Sequence, residues 1–284
     1  MSLTRDQFAH AAALETDQLR MQELQRMSCG QLHALLAGDP AQAVVWVRSA
    51  AQCGVHAAQL RLGRMLLEGR GQACDEVSAF RWFKCAASQG DPEALNMLGR
   101  CHENGWGVPM NLQLAAEHYR SSAEAGHDWG QYNLGNLYFD GRGVTRDLRQ
   151  AYCWYLRSAC QGHARAMNLV GRCLEEGWGC SPKPDDAADW YRCSAEAGYF
   201  RGQFNHAIEL MRREQCARAG QWFWRAAQLG DANMRQAIIT ALAQSSDAAL
   251  TQTKERIREL VLNAEYAKQF GIDAPNWASK GAQS

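Results

Sequence analysis

Residues 128–163 read DWGQYNLGNLYFDGRGVTRDLRQAYCWYLRSACQGH, and the flanking sequence repeats them. Gly135 has counterparts at Gly63, Gly99 and Gly171, each 36 residues from the next. The pairs Gly69/Gly71, Gly105/Gly107, Gly141/Gly143 and Gly177/Gly179 keep that register, as do Trp82-Phe83, His118-Tyr119, Trp154-Tyr155 and Trp190-Tyr191. A fixed period of about 20–50 residues is the mark of stacked supersecondary units, none of which can bury its apolar face alone. Such a sequence reveals an architecture and a surface more readily than a reaction.

Within the quoted repeat, Gly130, Leu134, Gly135 and Tyr138 are separated by steps of four, one and three, which puts them on one face of a first helix. A glycine inside a helix costs about 1 kcal/mol, so its recurrence at position 8 of the repeat predicts a helix passing too close for a side chain. The Gly-x-Gly ends this helix, its first glycine suiting a left-handed cap. Asp75, Asn111 and Asp147 are N-cap candidates for a second helix. In the fifth repeat Lys183 stands there between prolines, leaving Asp185 or Asp186 to serve in the first turn. The second helix buries Ala151, Trp154, Tyr155, Ser158 and Ala159 and stops at Gly162.

Four repeats are complete: 56–91, 92–127, 128–163 and 164–199. A shortened one precedes them, with Leu32, Leu35 and Leu36 on a short helix and Asp39-Pro40 opening the next. A sixth, 200–231, keeps Trp222-Phe223 but has 32 residues instead of 36, the deletion falling at the Gly-x-Gly loop. The repeats therefore run over 28–231. Residues 1–27 form a helical cap of one or two helices, with Thr16 or Asp17 between them. Residues 232–270 form C-terminal capping helices, and 271–284 a loose tail.

The 284 residues carry zero formal net charge. No overall field favours nucleic acid or an anionic membrane. The start lacks the apolar run of about 7–15 residues of a secretory signal, and no stretch approaches the roughly 18 apolar residues of a membrane span. Eleven scattered cysteines, an odd number without a CxxC pair, are those of a reduced, cytoplasmic protein.

The repeat A-x3-L-G-x2-Y-x2-G-x-G-V-x2-D-x3-A-x2-W-Y-x2-A-A-x2-G resembles the Sel-one-like repeat, a relative of the tetratricopeptide repeat. The resemblance covers 39–231, with local departures at Gln72, Cys180 and His118. It implies an all-α fold, a right-handed superhelical solenoid of antiparallel helix pairs whose first helices line a concave groove. It also implies a non-enzymatic adaptor for a protein or peptide.

Positions 2, 5, 9 and 12 of the first helix form a stripe that the core leaves free, and by the same resemblance it faces the groove. The third and fifth repeats carry one triplet there: Asn96, Arg100 and Glu103, then Asn168, Arg172 and Glu175. The fourth presents Trp129, Tyr132 and Phe139 around Asn136, and Arg165 follows at position 2 of the fifth. Asn and Arg bond peptide carbonyls and carboxylates, and aromatics with Arg dominate binding hot spots. Asn96, Arg100, Glu103, Trp129, Tyr132, Asn136, Phe139, Arg165, Asn168 and Arg172 are the candidate partner-binding residues. The competing readings are i,i+3 ion pairs Arg100–Glu103 and Arg172–Glu175 on a wet face, or inter-repeat packing of Trp129 and Phe139. A small anionic ligand or cell-wall fragment is the alternative occupant.

Trp106 and Trp178 lie inside their Gly-x-Gly loops and are expected to fold onto a neighbouring loop. Cys101 and Cys173 share one position, as do Cys85 and Cys193, which points to repeat packing. Cys101-His102 has no second ligand pair at zinc-like spacing, so no metal is expected. His127 and His163 fall in inter-repeat turns and are expected to be solvated. No GxSxG, P-loop, HExxH or Rossmann fingerprint is present, and neither catalysis nor a cofactor is expected.

Overall fold

The computed structural model describes the backbone of residues 5–270 and the side chains of 15–28, 30–264 and 266. The chain divides into two compact bodies, Met1–Arg146 and Asp147–Ser284. The first holds α1 (Arg5–Arg26), α2 (Cys29–Ala37), α3 (Pro40–Gln52), α4 (His56–Glu68), α5 (Glu76–Ala87), α6 (Pro92–Asn104), α7 (Leu112–Glu124) and α8 (Asp128–Asp140). The second holds α9 (Leu148–Cys160), α10 (Ala164–Glu176), α11 (Pro184–Glu196), α12 (Phe200–Arg212), α13 (Cys216–Leu229), α14 (Ala232–Ala241) and α15 (Ala248–Phe270). The described residues contain no strand. From α3 to α8 and from α9 to α13 each helix packs on the next, and α6 also touches α8 as α10 touches α12. The fold is an all-α solenoid of helix pairs.

Local chemistry sets the helix ends. Gly69, Gly105, Gly141 and Gly177 cap the first helices with φ of 66°, 77°, 72° and 73°, the left-handed region where glycine has no Cβ penalty. Asp75, Asn111 and Asp147 accept backbone N–H bonds at the starts of α5, α7 and α9. Lys183 makes no such bond, and Pro184, Asp185 and Asp186 fill the first turn of α11. The second glycine of each loop has a different task. A Cβ on Gly107 would overlap the Glu76 carbonyl, and one on Gly179 the Leu148 carbonyl. Each loop is thus pressed against the opening turn of the preceding repeat's second helix.

The second-helix core is the expected one: Ala151, Trp154, Tyr155, Ser158 and Ala159 are all buried. The first-helix core is wider than the pattern suggested. Gln131 and Leu137 are buried beside Gly130, Leu134 and Gly135, while Tyr138 is half-buried. At position 8 the close approach comes from a ring, not a helix backbone. A Cβ on Gly63 would lie 2.5 Å from Phe83, one on Gly99 2.5 Å from Tyr119, and one on Gly171 2.6 Å from Tyr191.

Two expectations are corrected. Residues 5–26 form one helix, and Asp17 caps nothing inside it; it is buried and accepts a 2.6 Å bond from Ser49 Oγ. His127 and His163 are not solvated turn residues. Their Nδ1 atoms accept from the Gly130 and Ala166 amides at 3.2 Å, capping α8 and α10, and His163 is buried. In the sixth repeat a three-residue turn, with Glu214 at φ 60°, replaces the glycine loop. In the second body Ile238, Leu242, Leu250 and Ile257 close over Phe223. The expected tail 271–284 lies outside the described residues.

Candidate partner-binding face

In the first body Asn96 does not stand free on the stripe. It is 5% exposed, and its Oδ1 accepts a 2.8 Å bond from Asn133 Nδ2. It pins the first helices of two successive repeats together. Glu103 accepts a 2.6 Å bond from the Tyr119 hydroxyl and pairs with Arg142. The i,i+3 pair with Arg100 does not form. Arg100 is exposed, and its guanidinium lies 5.0 Å from the centre of the Trp106 ring, with one nitrogen 3.6 Å from Met97 Sδ. The loop tryptophan lies within reach of the stripe of its own repeat and packs against the core of the first body. Arg64 pairs with Glu93; burial holds its pKa below the ordinary value, the carboxylate of Glu68 opposing that shift and the Arg100 cation adding to it. Trp129 is 37% exposed and meets Tyr132 edge-on at 5.9 Å. Asn136 and Phe139 are half-buried.

The second body repeats the construction 72 residues on. Asn168 is 4% exposed and accepts a 2.8 Å bond from Asn205. Glu175 accepts from the Tyr191 hydroxyl at 2.6 Å and from Arg212 at 3.1 Å. Arg172 is exposed and lies 4.7 Å from the Trp178 ring centre. Arg165 is half-buried, 5.9 Å from the Tyr199 ring centre. Asn96 and Asn168 are thus structural pins, whereas Arg100 and Arg172 offer outward faces.

The causal order runs from glycine to glutamate. With no Cβ at Gly99 or Gly171, the tyrosine ring crosses the first helix and its hydroxyl reaches the carboxylate one turn on. Burial raises both phenol pKa values, and the Glu175 hydrogen bond raises that of Tyr191 further, so both remain protonated donors. Burial tends to raise the Glu175 pKa, but the bonds from Tyr191 and Arg212 outweigh it and hold the carboxyl below its ordinary value. Each glutamate is committed before its neighbouring arginine can use it. The tyrosine and its arginine partner escaped sequence reasoning. For the tyrosine the signal was a second period: Asn96/Asn168, Arg100/Arg172, Glu103/Glu175, Trp106/Trp178, Tyr119/Tyr191 and Asn133/Asn205 all differ by 72, whereas Arg142 and Arg212 do not.

The same doubling places Cys101 and Cys173 in the core, where burial pushes both thiols up to about 12 and leaves them inert. Cys85, by contrast, is exposed. His102 stacks on His118 at 5.3 Å and meets Phe80 edge-on at 5.5 Å. Among the described residues no group of three or more His, Cys, Asp and Glu could hold a metal ion, and no helix is long and apolar enough to cross a membrane.

The geometry defines a class of helical-repeat proteins whose outward residues recur at fixed spacing. The Sel1 repeat profile matches residues 30–55, 56–91, 92–127, 130–163 and 164–199, and the chain belongs to the Sel1 repeat family. Sel1 repeats are generally protein–protein interaction modules. A search of curated proteins gives no significant match. Among solved structures, the chain is similar to c5321, a protective antigen of uropathogenic Escherichia coli. The two are 31% identical with a TM-score of 0.64, over 86% of this chain and 54% of the antigen. This chain thus spans about half of that protein. A Sel1 repeat protein from Oxalobacter formigenes gives a TM-score of 0.71 at 25% identity, over 82% of this chain and 97% of its own.

Proposed function

We propose that the chain is a non-enzymatic scaffold that holds a peptide or protein partner on its first-helix stripes, in the first body that of the third and fourth repeats and in the second that of the fifth. The observation that carries this reading is the content of the stripe. Exposed Arg100 and Arg172 and the 37%-exposed Trp129 are residue types that anchor interfaces. Asn96 and Asn168 support the face from beneath by locking successive first helices. Glu103 and Glu175 belong to the supports of their own bodies, while Tyr132, Asn136 and Phe139 complete the surface of the first body and Arg165 that of the second. The proposed compartment is the cytoplasm, on the odd and scattered cysteines; cell fractionation checks it.

The test begins with peptides selected from a displayed random library against the full chain and remade synthetically. Titration by calorimetry is expected to show Trp129→Ala weakening a selected peptide by about tenfold or more, the loss of one interface anchor. Unchanged affinity in Trp129→Ala and Arg100→Ala would remove the face of the first body from consideration, and in Arg172→Ala that of the second.

A further inference from the structure

We infer that Arg100, held over the Trp106 ring, is a receptor for a carboxylate of the bound partner, so that the partner is an acidic peptide segment. The inference rests on the scaffold reading above and names the chemistry of its ligand. Among the described residues Arg100 makes no ion pair, although two carboxylates lie on the same face of the first body. Glu93 is taken by Arg64, and Glu103 by Arg142 and the Tyr119 hydroxyl. The indole 5.0 Å away orients the guanidinium without neutralising it. A guanidinium so held keeps a planar edge of N–H donors for two oxygens of one acceptor, the geometry that a carboxylate fits. Phosphate-reading sites gather several arginines, whereas here the neighbouring Arg64 and Arg142 are already paired.

The second copy sharpens the assignment. Arg172 lies over the Trp178 ring in the same way, but in that body Glu175 and Glu209 share Arg212. That leaves a surplus of carboxylate beside Arg172, and the Arg172 charge already helps to hold Glu175 ionised. The carboxylate receptor is therefore Arg100, with Arg172 the weaker site.

The experiment uses the selected synthetic peptides in a double-mutant cycle with the full chain. Selected peptides are expected to carry an Asp or Glu whose change to Asn or Gln weakens binding to the wild-type chain about tenfold. The same change should alter binding to Arg100→Ala less than twofold. Arg100→Lys should recover little, because an ammonium neither forks nor stacks as a guanidinium does; Arg172→Ala should retain most of the coupling. Circular dichroism is expected to be unchanged in all three variants, since both arginines are exposed. If Trp129→Ala weakens the peptides but no acidic residue couples to Arg100, the carboxylate assignment fails and the scaffold reading stands. If neither variant changes binding, both fall. A phosphoserine peptide bound more tightly than its glutamate counterpart, or free succinate bound as tightly as the peptides, overturns the class of ligand.

Discussion

The third repeat, at 92–127, and the fifth, at 164–199, build the same device with one substituted part. In both, a glycine admits a tyrosine ring, the tyrosine fixes a glutamate, and an arginine of the following repeat completes the pairing. In the first body that arginine is Arg142, inside a Gly-x-Gly loop. In the second the loop is deleted, the residue 72 positions beyond Arg142 is Glu214, and Arg212 at the end of α12 takes its place. The interaction is retained while the position that supplies it moves. A carboxylate that is half-buried and already bonded to a phenol needs a cation within reach, and any backbone that delivers one suffices.

The largest effects fall where that comparison rests on backbone. Gly107→Ala and Gly179→Ala force a side chain into a carbonyl oxygen at φ of 68° and 76°. Left-handed strain of about 1–2 kcal/mol adds to overpacking of about 1–3 kcal/mol. Each variant should lose about 2–5 kcal/mol in urea unfolding. Gly126→Ala and Gly198→Ala share the left-handed φ, at 89° and 88°, but meet nothing within 4 Å. They should lose only the strain, about 1–2 kcal/mol. Equal losses at all four positions would mean that loop-to-helix contact contributes nothing.

The contrast shows what a reader of the sequence could and could not see. The helix pairs, their caps at Asp75, Asn111 and Asp147, and the buried faces of the second helices follow from local spacing. The first glycine of each loop was legible because left-handed caps have a known residue preference. The second was not, since its reason is a carbonyl about thirty residues earlier. Asn96 illustrates the limit at the candidate site. Helical spacing put it on an outward stripe, yet its partner Asn133 lies 37 residues on, beyond any pattern within one repeat. Only the doubled period of 72 carries that information.

Those pins give the next effect. Asn96→Ala and Asn168→Ala each leave the amide of a half-buried asparagine without its acceptor, at a cost of about 1–3 kcal/mol. Removing both partners, as in Asn96→Ala with Asn133→Ala, should recover part of the loss. Strict additivity would show that the two amides are not coupled.

The copies differ in how they respond to acid. His102 and His118 in the third repeat correspond to Leu174 and Trp190 in the fifth. Burial holds both histidines below their ordinary value of 6.5; a bond to the Pro109 carbonyl opposes this at His102, and the His102 charge adds to it at His118. The unfolded chain therefore takes up protons first as pH falls. Stability is full above about pH 6.5 and declines as pH drops toward the lowered folded values. Exchanging the pair for the residues of the other copy, His102→Leu with His118→Trp, should flatten the urea midpoint between pH 7 and 5. His127 and His206, also lowered mainly by burial, supply the slope that remains. An unaltered slope would assign the acid response to groups other than this pair.

The smallest effect tests the substituted part itself. Arg142 and Glu103 are 44% and 22% exposed, and Arg212 and Glu175 are 58% and 32% exposed. Pairs so wet contribute about 0.2–1 kcal/mol, so Arg142→Ala and Arg212→Ala should each be mild. They should not be equal. Arg142 serves one carboxylate, whereas Arg212 separates Glu175 from Glu209, and its loss leaves two like charges facing each other. Arg212→Ala should therefore cost more in dilute buffer, and the excess should vanish in about 1 M salt, where the screening length shrinks to about 3 Å. Glu209→Gln in the Arg212→Ala background should remove that excess at low salt. An Arg142→Ala loss that matched or exceeded that of Arg212→Ala would mean that the relocated arginine does no more than replace the original.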